Sequence, residues 1–311
     1  MYFSLNSLFL LRKNGFKMKI YGILVAYNPT HDEVFDAVSR LEKQCDLVIV
    51  VNNSDNGKIL NRMPQHKLIN PGENLGIAKA QSIAMEWAFT NGADFVIQMD
   101  QDSILEENTV CNLLEAYELA VSKGINVGVI GPRHYDKVTN ELDIPRLITG
   151  NSVPGTNFEI VNATISSASI IPKIAFEKAG GMEDGLFIDS VDWEYCWRLK
   201  SLGFLTIRVN DVLLGHRVGD GKKSILGNLE VRVPSPIRHY YHTRNLILLT
   251  SRNYVPLYWK FSNYIRLILK LLFYPFIFED GMVRWRFIIK GIRDGFLGKY
   301  GRIDVACRNN K

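Results

Sequence analysis

Three short, nearly continuous apolar runs, spaced by helical patterns, restrict what this chain can fold into. They are residues 19–27 (KIYGILVAY), 46–52 (DLVIVVN) and 94–99 (DFVIQM). Runs this short, rich in β-branched residues and apolar at every position, suit strands covered on both faces. Between and after them, residues 32–43, 77–90 and 107–123 carry helical periodicity. The β-α-β-α-β-α alternation predicts an α/β fold with a doubly wound, mostly parallel sheet and helices on both faces. Ligands in such sheets bind beyond the carboxyl ends of the strands. The polar residues that end these three runs, Tyr27-Asn28, Asn52-Asn53-Ser54 and Asp100-Gln101-Asp102, are therefore expected at one crevice.

The third strand end carries the sharpest chemistry. In extended chain, side chains two residues apart share a face, so Asp100 and Asp102 can reach one hard cation, with Mg²⁺ or Mn²⁺ suited to oxygen ligands shared with substrate phosphates. An isolated Asp-x-Asp is as readily a solvated turn, so its weight comes from its neighbours. Residues 70–81 (NPGENLGIAKAQ) enter the second helix through two glycines, and its first turn offers unpaired N–H groups to an anion. Residues 186–198 (LFIDSVDWEYCWR) place Asp189, Asp192 and Glu194 within six positions at a helix start, where acids either cap the helix or serve as a base. Trp193 and Trp197, four apart, give that helix a large apolar side. His216 follows at the end of another apolar run.

Composition excludes several classes. With 311 residues, 47% of them hydrophobic and 22% charged, the chain is globular, neither disordered nor a coiled coil. Its four cysteines have no disulfide or zinc-knuckle spacing, which fits a reducing compartment. No run reaches the roughly 18 apolar residues that a membrane span requires. Residues 1–17 precede Met18 and the first strand, and are expected to be a flexible extension or a misassigned start.

The net charge of +5 hides an asymmetry. Residues 1–231 hold 22 Lys and Arg against 28 Asp and Glu, whereas residues 232–311 hold 15 against 4. No zinc, RRM or helix-turn-helix pattern accompanies the basic tail, which argues against nucleic acid. Instead, residues 257–273 (LYWKFSNYIRLILKLLF) place Lys260, Asn263, Arg266 and Lys270 as a narrow polar stripe on an otherwise apolar helix. Pro275 is expected to break the apolar surface beyond it. Such a helix can lie in a membrane interface, or pack on the catalytic domain with its basic edge in solvent.

The ordered set AYNP (26–29), VNNS (51–54), NLGIAKAQ (74–81), MDQDS (99–103), DSVDWEYCWR (189–198) and HRVGD (216–220) resembles the inverting GT-A glycosyltransferases of family 2. YYHTRN (240–245) and KGIRDGFLGKYGR (290–302) extend the likeness to the bacterial dTDP-rhamnosyltransferases of O-antigen and cell-surface polysaccharide synthesis. The resemblance implies a catalytic domain over 18–235, its nucleotide-sugar half near 18–104 and acceptor half near 105–235, followed by a helical region at 236–311 for membrane or partner association. It implies donor binding by Tyr27, Asn28, Asn53, Asn74, Gly76, Lys79 and Asp100. The metal set would be Asp100, Asp102 and His216. Asp192 would be the base and Glu194 the second acid, with Ser166, Ser167 and Trp193 on the acceptor side.

Three positions depart from the family pattern. Val191 stands where an acid commonly precedes the base, which keeps Asp189 as a rival. Ser82 replaces a common Asn, and Ser167 replaces a common Gly. The implied reaction transfers a sugar, L-rhamnose from dTDP-rhamnose, to a lipid-linked glycan. The implied location is cytoplasmic, on the inner face of the bacterial plasma membrane, with a homo-oligomer compatible. UDP-hexose or UDP-galactofuranose donors are the alternatives. A nucleotidyltransferase would place Lys or Arg in the loop after the first strand, where this chain reads YNPTHDE. A non-catalytic scaffold would need no base.

Overall fold

The computed structural model describes residues 12–13, 16–55, 66–136, 142, 150–216, 222–225, 229–232 and 234–303. In chain order, β1 (Arg12–Lys13) and β2 (Phe16–Lys17) form a small antiparallel ladder. There follow β3 (Ile20–Ala26), α1 (His31–Glu42), β4 (Leu47–Asn52), β5 (Lys67–Ile69), α2 (Gly76–Thr90), β6 (Phe95–Asp100), β7 (Ile104–Leu105) and α3 (Thr109–Ser122). The middle of the chain forms β8 (Val127–Asp136), β9 (Asn151–Ser152), β10 (Phe158–Val161), β11 (Ile170–Pro172), α4 (Lys173–Ala179), a 3₁₀ turn (Asp184–Leu186) and α5 (Val191–Ser201). The remainder is β12 (Leu205–His216), β13 (Lys222–Ile225), β14 (Leu229–Arg232), α6 (Pro236–Thr250), α7 (Leu257–Ile277) and α8 (Gly281–Phe296).

The main sheet runs β5-β4-β3-β6-β11-β8-β12-β10-β9, with β7 paired to β12. Strands β5, β4, β3 and β6 are parallel, as the apolar runs predict. Successive side chains point to opposite faces, so Ile23, Val25, Ile49 and Val51 join one core while Leu24, Ala26, Val48 and Val50 join the other. The second half of the sheet is mixed. Strand β11 runs antiparallel to both β6 and β8, whereas β8 and β12 are parallel.

A complete capping box starts α1. Thr30 Oγ1 accepts the Glu33 N–H at 3.3 Å, and the Glu33 carboxylate accepts the Thr30 N–H at 2.9 Å. Registers then fix where the strands end: Ala26 lies opposite Asn52 and Val25 opposite Asp100.

The C-terminal helices do not form a separate core. Leu246, Leu249, Trp259 and Ile288 share one cluster with Ala78, Met85 and Trp197, and the Trp197 and Trp259 rings lie 5.1 Å apart. The helical region that begins at residue 236 thus shares the core of the residues before it. Of the basic edge that packing would leave in solvent, Arg266 is exposed, while the other members of the stripe turn inward. Asn263 is buried, Lys260 donates to the carbonyls of Thr250 and Arg252 at 2.9 and 2.8 Å, and Lys270 is half-buried. The apolar remainder faces outward, with Phe261 68% and Phe276 86% exposed. Pro275 does not end the helix, which continues to Ile277. A proline this close to the C-terminus forfeits one hydrogen bond at a point where the ladder is about to end anyway.

Candidate active site

The C-terminal ends of β3, β4 and β6 open into a cavity of about 780 Å³. Its walls come from both ends of the chain. Tyr27, Asn53, Asn74, Gly76 and Asp100 line one side, Ser166, Asp189, Asp192 and Trp193 another, and Arg238, Tyr241, His242 and Arg302 a third. Most sequence-predicted residues therefore meet in one place.

The nucleotide-side wall is built by side-chain to backbone hydrogen bonds. Asn53 Oδ1 accepts the Leu75 N–H at 2.8 Å, and Asn74 Oδ1 accepts the Gly76 N–H at 2.9 Å. Gly76 has φ +81°, and a Cβ there would stand 2.5 Å from Phe187, so close packing as well as conformation requires glycine. Asp55 accepts the Asn74 N–H at 3.1 Å and pairs with Arg302 at 2.6 and 2.9 Å. The C-terminal segment is thus tied to the same loop.

The acidic segment enters α5 through a contorted turn. Phe187, Asp189 and Ser190 all have positive φ, at 66°, 69° and 64°. Non-glycine residues rarely adopt this region, and such strain is maintained only where surroundings enforce it. Two buried residues of α6 enforce it here. Arg244 donates to the Leu186 carbonyl at 2.8 Å, and Asn245 Nδ2 donates to the carbonyls of Ile188 and Asp189 at 2.8 and 2.9 Å. Neither residue had a role assigned from sequence, although an Arg-Asn pair in the apolar 240–249 segment was the available signal.

The two candidate bases differ in their partners. Asp189 is engaged by the Arg238 guanidinium. Asp192 accepts its neighbour's N–H, from Trp193 at 2.9 Å, and forms no ion pair with any described residue. Its pKa is raised to about 7, chiefly because the carboxyl is buried; Asp100 and Asp189 add repulsion, and the Trp193 N–H opposes the rise. A carboxylate poised near neutrality suits general-base work.

Several sequence-predicted residues lie outside the cavity wall. Glu194 is fully buried, bound by Arg198 at 2.8 and 3.0 Å and by the Tyr254 hydroxyl at 2.7 Å. Helix periodicity carries its side chain away from that of Asp192, so we correct its expected catalytic role to a structural one. Ser167 is also fully buried; its hydroxyl accepts the Asp100 N–H at 3.3 Å, placing it behind the strand end rather than on an acceptor surface. Lys79 pairs with Asp184 at 2.7 Å, and the Asn28 N–H reaches Ser54 Oγ at 2.8 Å. Ser82 turns to Asp184 as well, at 2.6 Å.

Asp102 is exposed, two residues beyond Asp100. His216 ends β12, and its side chain lies outside the described residues. Its backbone position is nonetheless informative. Gly215 pairs with Ile104, so the antiparallel ladder carries His216 toward Ser103, next to Asp102. Among the described residues there is no group of three His, Cys, Asp or Glu side chains able to hold a metal. Two carboxylates at a cavity edge do fit Mg²⁺ or Mn²⁺, which take one or two protein carboxylates and complete their shell with water and substrate phosphate.

Strand-end carboxylates at the mouth of a mixed sheet, facing a second acidic segment, define a nucleotide-sugar glycosyltransferase of the GT-A type. The solved structure of GalNAc-T7 with UDP, GalNAc and Mn²⁺ superposes on 90% of this chain with a TM-score of 0.58 at 12% identity; this chain spans 56% of that longer one. S. aureus TarS is a more distant structural likeness, with a TM-score of 0.45 and 16% identity over 76% of this chain and 40% of that one. No family model matches the chain. The dTDP-rhamnosyl transferase RfbF of Shigella flexneri is 32% identical over 252 residues, covering 76% of this chain and 82% of that protein. The chain belongs to that family of glycosyltransferases, and neither the nucleotidyltransferase nor the scaffold reading survives.

Proposed function

We propose that the enzyme transfers L-rhamnose from dTDP-rhamnose, with inversion, to a lipid-linked glycan during assembly of a bacterial surface polysaccharide such as O-antigen. The observation that carries the reading is the shared cavity of Asp100 and Asp192, in which Asp192 alone of the acidic segment is without a cationic partner among the described residues. The activity of RfbF supports the choice of donor.

Asp192 accepts the proton of an acceptor hydroxyl as its oxygen bonds to the anomeric carbon. The bond from that carbon to the diphosphate oxygen breaks, and its electron pair leaves on the nucleoside diphosphate. One displacement inverts the configuration. Asp100 and Asp102, with His216 as a further ligand, would hold Mg²⁺ or Mn²⁺; when bound, the ion supplies positive charge against the departing diphosphate. The Mn²⁺ in GalNAc-T7 is consistent with this.

The outward apolar faces of α7 and α8 support membrane association. No helix among the described residues is long and apolar enough to cross a membrane. The reading is peripheral attachment at the cytoplasmic face of the plasma membrane, by helices lying in the interface.

A hydrolysis panel tests the donor. With Mn²⁺ present, wild type is expected to release dTDP slowly from dTDP-rhamnose, and Asp102→Ala is expected to lose that release. Preferential release of UDP from UDP-glucose, UDP-galactose or UDP-galactofuranose would replace the donor, and release unaffected by EDTA would remove the metal.

A further inference from the structure

Beside the cavity, α6 and α7 run antiparallel with their polar edges in contact. The His239 and Tyr274 rings meet at 5.3 Å at one end of this contact, and the Thr250 and Tyr264 hydroxyls lie 3.2 Å apart at the other. One turn in from the first anchor, His242 on α6 and Lys270 on α7 share the same interface. Arg266 lies one turn before Lys270 on the same side of α7.

Among the described residues, charge in this region is predominantly positive. Arg238, Arg266 and Lys270 bring three positive charges, and Asp189, the carboxylate that acts on His242 and Lys270, is also engaged by Arg238. Neither Arg266 nor Lys270 forms an ion pair with a described residue. Burial, with Arg266 nearby, lowers the pKa of Lys270; burial, with Lys270 and both arginines nearby, lowers that of His242 to about 4. His242 is therefore a neutral hydrogen-bonding group near pH 7, and half-buried Lys270, with the exposed Arg266 at its rim, marks a partly desolvated place where an anion would be attracted.

The position of the cluster narrows the ligand. On one side, Arg238 and His242 line the cavity that holds Asp192. On the other, Arg266 borders the exposed apolar arc of α7 that includes Ile265, Leu269, Leu272 and Phe273. Between a reaction centre and a greasy surface, the matching ligand is an anion attached to a long apolar chain.

We infer that Arg238, His242, Arg266 and Lys270 form the subsite for the phosphate or diphosphate of a lipid-borne acceptor, with its chain along the outer face of α7. This deepens the glycosyltransferase reading above and rests on it for the identity of the acceptor. Phosphates favour Arg and Lys donors, since charge-assisted hydrogen bonds are the strong ones. The geometry also orders the acceptor: sugar toward Asp192, phosphate at α6 and α7, lipid outward.

Farnesyl diphosphate in EDTA, titrated calorimetrically with no donor present, tests the subsite independently of catalysis. Wild type is expected to bind it. Arg266→Ala, an exposed change that leaves folding intact, should weaken binding roughly tenfold, and Arg266→Ala/Lys270→Ala further. Farnesol should bind equally weakly to all three. Equal affinity for farnesyl diphosphate in wild type and variants would overturn the assignment. Displacement of farnesyl diphosphate by dTDP would do so too, by making this the donor's site. Phosphatidylglycerol vesicles supply the remaining arm: if the variants lose vesicle binding in the same proportion, the cluster reads membrane headgroups and the acceptor assignment falls. Because no donor is present, failure of the rhamnose reading leaves this result standing.

Discussion

Asp192→Asn should make the protein more stable and nearly inactive, and both effects follow from one cause. The fold raises the carboxyl from its ordinary value of 3.8 to about 7. Between these values the folded state holds a proton that the unfolded state has released, so wild-type stability declines as pH rises through the window and stays reduced above it. The full shift corresponds to at most about 4 kcal/mol. Water reaching the half-buried group through the cavity reduces this to about 2 kcal/mol. Asparagine removes the buried charge while keeping the shape. In EDTA, the variant should melt close to wild type at pH 4 and about 5 °C higher at pH 8. Turnover should fall by about 10² to 10⁴ with donor affinity retained. Paired melting curves across this pH range, with single-turnover assays at pH 8, check both arms. A melting difference that does not grow with pH would refute the electrostatic account. Near-normal turnover would refute the assignment of the base and return Asp189 to that role.

Glu194→Gln should do the reverse. It leaves Arg198 without its buried counter-charge and should cost about 3 to 5 kcal/mol, read as a lower urea midpoint with turnover per folded molecule unchanged. Gly76→Ala should impair donor binding, since φ is +81° and the added Cβ meets Phe187 at 2.5 Å; a normal donor Kd would show that the loop shifts freely. Phe261→Glu/Leu272→Glu, on the exposed arc of α7, should leave the melting temperature unchanged and abolish co-sedimentation with anionic vesicles. Release of wild type from vesicles by high salt alone would argue against an inserted apolar face.

The first half of the fold was legible because burial on both faces leaves a strong mark in sequence. The runs 19–27, 46–52 and 94–99 match β3, β4 and β6 to within about a residue at their ends. The second half was not. Strand β8 reads VGVIGPRHYD, mixing glycine, proline and charge, and β11 is three residues long. Neither produces a period that separates strand from loop. At the site, residues that end strands or start helices were visible as motifs. Arg238, Tyr241, His242 and Arg302 were missed because they reach the cavity through tertiary packing of a tail whose composition pointed toward a membrane. The same composition suggested cations facing outward; Arg266 does, whereas Lys260 satisfies two carbonyls at the end of α6 and Lys270 is half-buried. A polar stripe marks a helix face that differs from the rest; it does not say which face is buried.

Packing links the C-terminal helices to the chemistry. Helix α6 carries Arg244 and Asn245, which hold the left-handed turn ahead of Asp192, and it carries His242, which lines the cavity. Helix α7 packs its polar edge on α6 and turns its apolar edge outward. Helix α8 covers the half of α6 that braces the catalytic turn, with its Gly291 and Gly295 against Thr243, Arg244 and Ile247, and α7 packs on α8 in turn, so the surface that meets lipid and the loop that positions the base are supported by connected packing. Truncation after residue 256 should consequently cost more than attachment to vesicles. It should also release the strained turn at Phe187, Asp189 and Ser190, because positive φ at three non-glycine residues persists only while Arg244 and Asn245 are held in place.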